Sequence, residues 1–310
     1  MAHRKLAARK QLAILRQQKM FYLFLLPGFI SIVVFSYLPL YGLIGGLQAY
    51  NPFQGFFRSP WVGLKNFQTL FALPDFTRVL FNTVNIGFWN FVFNFPAPII
   101  LAILINEIHN STFRKVTQTI SYIPNFISWV VASGIFYKLL AADGAVNGLL
   151  KMFGLEEPIY FFNEAKMFVP IMVLTSLWKG VGFSSILYLA VLTAIDPGLY
   201  EAAEIDGAKK LQKIRYITIP GIMPTVTLML VLSLSNLLTV NFDQVYTLQN
   251  SMNMATSDVL DTYIFRIAMQ GKISDYSRGI AAGLFRAVIC LALFLTANAA
   301  SKKMGNGSVF

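Results

Sequence analysis

The sequence predicts an all-α polytopic membrane protein with six transmembrane helices, and three observations carry that prediction. First, 56% of the 310 residues are hydrophobic and only 13% are charged, with a mean hydropathy of +0.59. A soluble domain of this size cannot bury so much apolar surface. Second, apolar stretches near the bilayer-crossing length of about 20 residues recur at roughly 21–47, 82–105, 117–140, 167–192, 220–241 and 279–300. Third, the basic residues divide unevenly between the connecting pieces. With both termini on one side, segments 1–20, 106–116, 193–219 and 301–310 hold 14 Lys and Arg against 5 acids, and the other side holds 9 of each. Lys and Arg collect on the cytoplasmic side, so both termini and segment 193–219 are expected there.

The N-terminal segment 1–20 carries Arg4, Lys5, Arg9, Lys10, Arg16 and Lys19 and no acid, with Leu6, Leu12, Ile14 and Leu15 among them. That pattern suits a basic, partly amphipathic helix on anionic headgroups. The transmembrane body follows over 21–300, and a short tail closes at 301–310. The first span contains Pro27 and Pro39, where kinks or ends should fall. It is too long for a signal peptide. Cys290 is the one cysteine and lies in an apolar run, so neither a disulfide framework nor a cysteine zinc cluster is available. His3 and His109 are far apart, and neither suggests a metal ligand. A net charge of +11 could suggest nucleic acid; in a membrane protein topology explains it better.

Between the fourth and fifth spans lies the polar loop 196–219. It begins Asp196-Pro197-Gly198-Leu199-Tyr200-Glu201-Ala202-Ala203-Glu204-Ile205-Asp206-Gly207-Ala208. Asp196 is a good N-cap, and Pro197 suits the first helical position. Gly207 suits the left-handed turn after the last. A closed helix of about ten residues is expected, with Glu201 and Glu204 on one side. On pattern alone, a solvated loop helix and a docking element stand on equal terms.

Glu201-Ala202-Ala203, Asp206-Gly207-Ala208, Ile217 and Pro220 resemble the cytoplasmic signature loop of binding-protein-dependent ABC importer permeases. Ile214 departs from the Phe usual in sugar-importing members, and an aliphatic side chain fills the same slot. Softer matches to the sugar-importer permeases, the maltose-transporter type included, spread over about 62–300. They are Val62-Gly63-Leu64-Lys65-Asn66-Phe67, Asn82-Thr83, Arg114-Lys115, Pro124 and 144–150. Asp258-Val259-Leu260-Asp261-Thr262-Tyr263 resembles a subgroup handling complex oligosaccharides or polysaccharide fragments.

The resemblance implies a type I ABC importer permease fold in a bacterial cytoplasmic membrane. It implies half of a pore shared with a second permease, two cytoplasmic ATPase subunits and an extracellular solute-binding protein. ATP and magnesium would be bound by the ATPases, with no cofactor, no metal and no catalytic residue in this chain. The absence of a Gly-x-x-x-x-Gly-Lys-Ser/Thr phosphate loop from the sequence agrees with that. Glu201, Ala202, Ala203, Asp206 and Gly207 are then the ATPase-coupling residues. Loop residues Trp61, Tyr160, Phe161, Phe162, Asp243, Asp258 and Asp261 are candidate contacts for the solute-binding protein.

For the sugar, the resemblance implies a site on the fourth and fifth spans. Counting without gaps from Glu201 lands near Leu177, Gly180 and Phe183, then Ser233, Asn236, Leu237 and Val240. Polar groups inside spans are costly and ask for a reason, which adds Lys179, Tyr188 and Asn241. Trp129 joins them as an aromatic face. The candidate set is Trp129, Lys179, Gly180, Phe183, Tyr188, Ser233, Asn236 and Asn241. Each has a plain alternative. Small residues such as Gly180 are commonly packing points, and Trp129 suits an interface belt. Lys179 and Arg286 must snorkel, pair or line a wet cavity; a pore-lining Lys179 would favour acidic sugars.

Two other classes compete. An ion-coupled secondary transporter wants carboxylates inside the membrane, and no Asp or Glu falls in the six stretches. A membrane-embedded glycosyl-lipid enzyme wants carboxylates or histidines gathered at one face, and the acids of 201–206 are better explained as one capped helix.

Overall fold

The computed structural model describes residues 18–303. Most of the expected basic segment and of the C-terminal tail, residues 1–17 and 304–310, lies outside the described residues. Five long apolar helices are α1 (Lys19–Leu47), α2 (Pro74–Asn106), α5 (Ala165–Leu192), α7 (Lys210–Ser235) and α10 (Ile273–Lys303). Between α2 and α5 lie α3 (Ser111–Phe126) and α4 (Trp129–Leu139). Among the described residues the only β-pairing is an isolated bridge between Gln48 and Trp61.

The stretch 117–140, expected as one straight span, is broken. Helices α3 and α4 meet at 103°, so the six-span count holds with this bent pair as one span. The cause is local. Pro124 has no N–H to donate, and the chain tightens over Ile123–Phe126. Ser128 then starts a new helix, its Oγ accepting from the Val131 N–H at 3.3 Å.

The other prolines act more gently. Widened turns at Val33–Tyr37 and Ile214–Thr218 precede Pro39 and Pro220 and absorb the clash of each ring with the preceding turn. The fifth span, expected to run to 241, stops at Ser235. The chain turns there, and Asn241 caps α8 (Phe242–Leu248) by accepting from the Gln244 N–H at 3.0 Å.

Helix α5 is the hub. At its C-terminal end Tyr188, Leu189 and Leu192 pack with Ala102 and Ile105 of α2 and Ile222 of α7. At the other end Phe168, Ile171 and Met172 pack with Ile86, Val240, Val245, Leu248 and Val259. Helix α1 stands apart. Phe21, Phe24 and Phe35 are each more than 70% exposed, and only Gly45 and Gly46 at its C-terminal end are buried, Gly46 against Ala281 of α10.

The short family-like motifs turn out to be backbone clamps. Asn66 donates to the carbonyls of Gly46 and Gln48 at 2.9 and 2.8 Å. Asn82 donates to those of Ala255 and Asp258, and Thr83 accepts from the Leu260 N–H at 2.9 Å. Asn147 closes 141–159 through Ala141 and both backbone groups of Ile159. An amide side chain carries a donor and an acceptor, so it can satisfy loop backbone that secondary structure leaves unpaired.

The Asp258 carboxylate is fully buried. Arg266 of α9 (Leu260–Gln270) grips it through both oxygens at 2.9 and 2.6 Å, and the Thr262 hydroxyl donates to it at 2.9 Å. The hydrogen bonds to Asp258 raise the Arg266 pKa above its ordinary value. Replacing Asp258 by Asn strands the guanidinium. Removal of one partner of a buried pair costs roughly 3–5 kcal/mol; Arg266 keeps some solvent, so about 2 kcal/mol is expected. Thermal unfolding in detergent measures it.

Candidate functional site

Two separate places carry most of the candidate functional residues. The first is α6 (Pro197–Ile205), on the loop between α5 and α7. The Asp196 carboxylate accepts from the Gly198 N–H at 2.9 Å. At the other end the Ala208 N–H donates to the Ala203 carbonyl at 2.8 Å and the Gly207 N–H to that of Glu204 at 3.0 Å. This paired closure requires a left-handed residue, and Gly207 supplies it with φ +75°.

The helix is braced at its base and bare at its tip. The Tyr200 hydroxyl bonds that of Thr218 at 3.0 Å, joining α6 to the foot of α7. Lys213 bonds Glu204 at 2.5 Å and holds its carboxyl below the usual range, through the hydrogen bond first and charge second. Lys210 reaches Glu107 at the end of α2, at 3.0 Å. Of the expected coupling residues, Glu201, Ala202, Asp206 and Gly207 are exposed and Ala203 is half-buried. Glu201 forms no ion pair among the described residues. Ile205, not singled out from sequence, is 88% exposed at the tip. An exposed isoleucine between short polar residues is a contact waiting for a surface.

The second place lies in the membrane, and it divides the expected sugar-site residues into three groups. Ser233, Asn236 and Asn241 line a cavity of about 330 Å³ between α2, α5 and the end of α7. Its other polar walls come from Asn90 and Asn94 of α2, Ser176 of α5, Thr239 and Gln244. Gln244 bridges α8 to α5, its Nε2 donating to the Met172 carbonyl and the Thr175 hydroxyl and its Oε1 accepting from Ser176. The Leu237 carbonyl rests on Gly87 of α2, where an added Cβ would lie 1.9 Å from it. The α2 residues were missed although asparagines inside an apolar span are an alert in sequence; the resemblance had drawn attention to the fourth and fifth spans.

Trp129, Lys179 and Phe183 gather instead at the break between α3 and α4, and Gly180, next to Lys179 on α5, has nothing within 4 Å of an added Cβ. Lys179 Nζ donates to the carbonyls of Asn125 at 2.7 Å, Ile127 at 2.5 Å and Pro124 at 3.4 Å. It also lies 5.5 Å from the Trp129 ring centre. Phe183 meets Phe126 edge-on. The lysine expected as a candidate sugar ligand is therefore the cap of a broken helix: it takes the Asn125 and Ile127 carbonyls at the break and shares that of Pro124 with the Ile127 N–H. Tyr188 is also displaced from the expected site, being 4% exposed in the core with Ala102 and Ile222. An aromatic side chain one face away from a polar cavity is pulled into the apolar contact. Arg286 pairs with Asp261 of α9.

Several expected outer contacts are also spoken for. Asp258 and Phe162 are buried, and Asp261 is paired, whereas Trp61 and Tyr160 remain exposed.

Residues 94–306 match the family model described as binding-protein-dependent transport system inner membrane component. The polygalacturonan/rhamnogalacturonan transport system permease protein YteP of Bacillus subtilis (strain 168) is 40% identical, over 97% of this chain and 94% of its own length. Protein LplB of the same organism is 37% identical over 96% and 93%. Among solved structures, a bacterial ABC transporter involved in the import of the acidic polysaccharide alginate matches with TM-score 0.86 at 37% identity. That match covers 95% of this chain and 99% of the other. The bacterial alginate ABC transporter in complex with an alginate pentasaccharide-bound periplasmic protein matches with TM-score 0.87 at 36% identity, over 96% and 99%.

Proposed function

The chain belongs to the family of binding-protein-dependent transport system inner membrane components, and from that membership we infer that it is the permease subunit of a sugar ABC importer. It is a multi-pass membrane protein and a transport subunit, not an enzyme. Its cargo is an oligosaccharide or polysaccharide fragment, of the kind that the names of its relatives describe. It forms half of the pore with a second permease, receives sugar from a solute-binding protein and is driven by two ATPase subunits that bind ATP and magnesium. Both termini lie in the cytoplasm, which the charge asymmetry supports.

The observation that carries the mechanism is α6: a helix closed at both ends, braced to α7 and exposed at Glu201 and Ile205. Such a helix moves as a rigid body. Seated in an ATPase, it passes the closing motion to α5 and α7, whose cytoplasmic ends are bolted together through Leu192 and Ile222. The cavity by Asn236 lies between the same helices, so the motion reaches the sugar path directly.

Gly207→Val tests the joint. A β-branched residue is a steric outlier at this φ, so the closure must rearrange. In reconstituted complex, sugar uptake should fall about tenfold or more while ATP hydrolysis persists, each 1.4 kcal/mol of lost coupling counting for a factor of ten. Normal uptake per ATP would remove α6 from the coupling path. Copurification with an ATPase subunit checks the assembly itself.

A further inference from the structure

Asn90 and Asn94 stand one helical turn apart, midway along Pro74–Asn106, with Phe91 and Phe95 beside them. All four are half-buried and line the cavity whose other wall holds Asn236 and Asn241. Asn94 Nδ2 donates to Asn90 Oδ1 at 3.0 Å. That bond orients the pair and leaves the Asn90 amide hydrogens and the Asn94 oxygen open to a ligand. Phe91 and Phe95 lie stacked, ring centres 5.5 Å apart and planes 21° from parallel.

A sugar hydroxyl is donor and acceptor at once, and so is a side-chain amide; an aromatic face takes the C–H face of the ring. No Lys, Arg, Asp or Glu lines this cavity among the described residues. Of the cations within the apolar stretches, Lys179 is committed to three carbonyls and Arg286 to Asp261, and Lys138 sits in the last turn of α4, outside this lining.

We propose that Asn90 and Asn94 are direct sugar ligands, and that this cavity reads ring faces and hydroxyls without selecting on the sugar's charge. The proposal rests on the sugar-import reading above. A uronate carboxylate brought into the cavity finds no counter-cation and would be desolvated unpaired. An acidic sugar therefore presents its hydroxyls to this subunit and keeps its carboxylate toward the wet opening. Discrimination between charged and uncharged chains falls to the partner subunits.

The test uses the complete reconstituted transporter and two probes of equal length, an oligogalacturonate and its uncharged methyl ester. Asn90→Ala and Asn94→Ala should each lower ATP-driven uptake about tenfold, by the same factor on both probes. Asn94→Lys should raise the acid-to-ester ratio about tenfold. A loss confined to the acid, undiminished uptake of both probes, or an unmoved ratio in Asn94→Lys overturns the proposal. If an alanine variant fails to assemble by size exclusion, Asn90→Ser or Asn94→Ser, which keeps a hydroxyl in the cavity, is scored by the same criteria. A wild-type complex that carries neither probe on ATP, nor any other sugar, would instead sink the import reading.

Discussion

Gly182→Ala is expected to prevent stable accumulation of the protein, although alanine is the best helix former and the position is mid-helix. An added Cβ would lie 1.9 Å from the Ser121 carbonyl oxygen and 2.4 Å from its carbon. An ordinary carbon–oxygen approach is about 3.3 Å, so α3 and α5 must part by more than an ångström. Both partners are helical backbone, which cannot swing aside as a side chain does. The separation also pulls the Pro124–Ile127 carbonyls away from Lys179. A destabilisation of about 3 kcal/mol or more follows, at the upper end of overpacking. Gly180→Ala is the matched control, because nothing lies within 4 Å of a Cβ there; it should be neutral or slightly stabilising. Melting in detergent and yield from membranes compare the two. Equal behaviour would show that α3 does not press on α5 at this point.

Lys179→Met is the second large effect. Methionine keeps the length and the apolar stem and removes only the ammonium. The carbonyls of Asn125, Ile127 and Pro124 then lose a common donor at a bend inside the membrane. The Pro124 carbonyl keeps the Ile127 N–H at 3.2 Å; each of the other two carbonyls left unpaired costs about 1 kcal/mol, so about 2 kcal/mol is expected. Lys179→Arg should rescue only part of this, since a planar fork cannot converge on three carbonyls of one turn as an ammonium can. Because the lysine acts through the shape of the break, uptake of acidic and neutral sugars should fall by the same factor in either variant. A selective loss of acidic sugar would place the ammonium in the transport path.

The two glycines that take a carbonyl explain how an irregular backbone survives at membrane depth. Gly182 receives Ser121 at the α3–α4 break, and Gly87 receives Leu237 where α7 ends. Non-helical backbone in a bilayer persists only where protein or water covers it. Here each break is pressed onto a glycine of a neighbouring long helix, and spare carbonyls or N–H groups go to Lys179 and Asn241, while the Gln244 side chain ties α8 to the Met172 carbonyl of α5. The interruption at the end of α7 then frames the amide-lined cavity, the arrangement expected where a transporter must offer polar groups in the middle of a membrane.

Much of this was legible in the chain. Hydropathy gave the spans to within a few residues at most ends, because burial in lipid is a property of each segment alone. The closure of α6 was equally readable: Asp196, Pro197 and Gly207 act on their own neighbours, and the caps formed where they were expected. Even the break at Pro124 and Ser128 was written locally, as a breaker followed by a cap, though an apolar run of ordinary length concealed it.

What the sequence determined by itself was therefore whatever depends on near neighbours and on the solvent a segment meets: the membrane passes, the charge asymmetry of their connections and a capped loop helix. Only the tertiary structure decided what the polar side chains within the spans are for. Lys179 lies 52 residues from Ile127 and Asn82 lies 176 from Asp258, and no periodicity encodes which of several costly polar groups will find each other. Packing makes that choice, since in a low-dielectric interior each buried donor and acceptor must be paired by whatever the fold brings within hydrogen-bond reach. The lysine went to a broken helix and the tyrosine to the core, and a pair of asparagines on α2 was left facing the cavity.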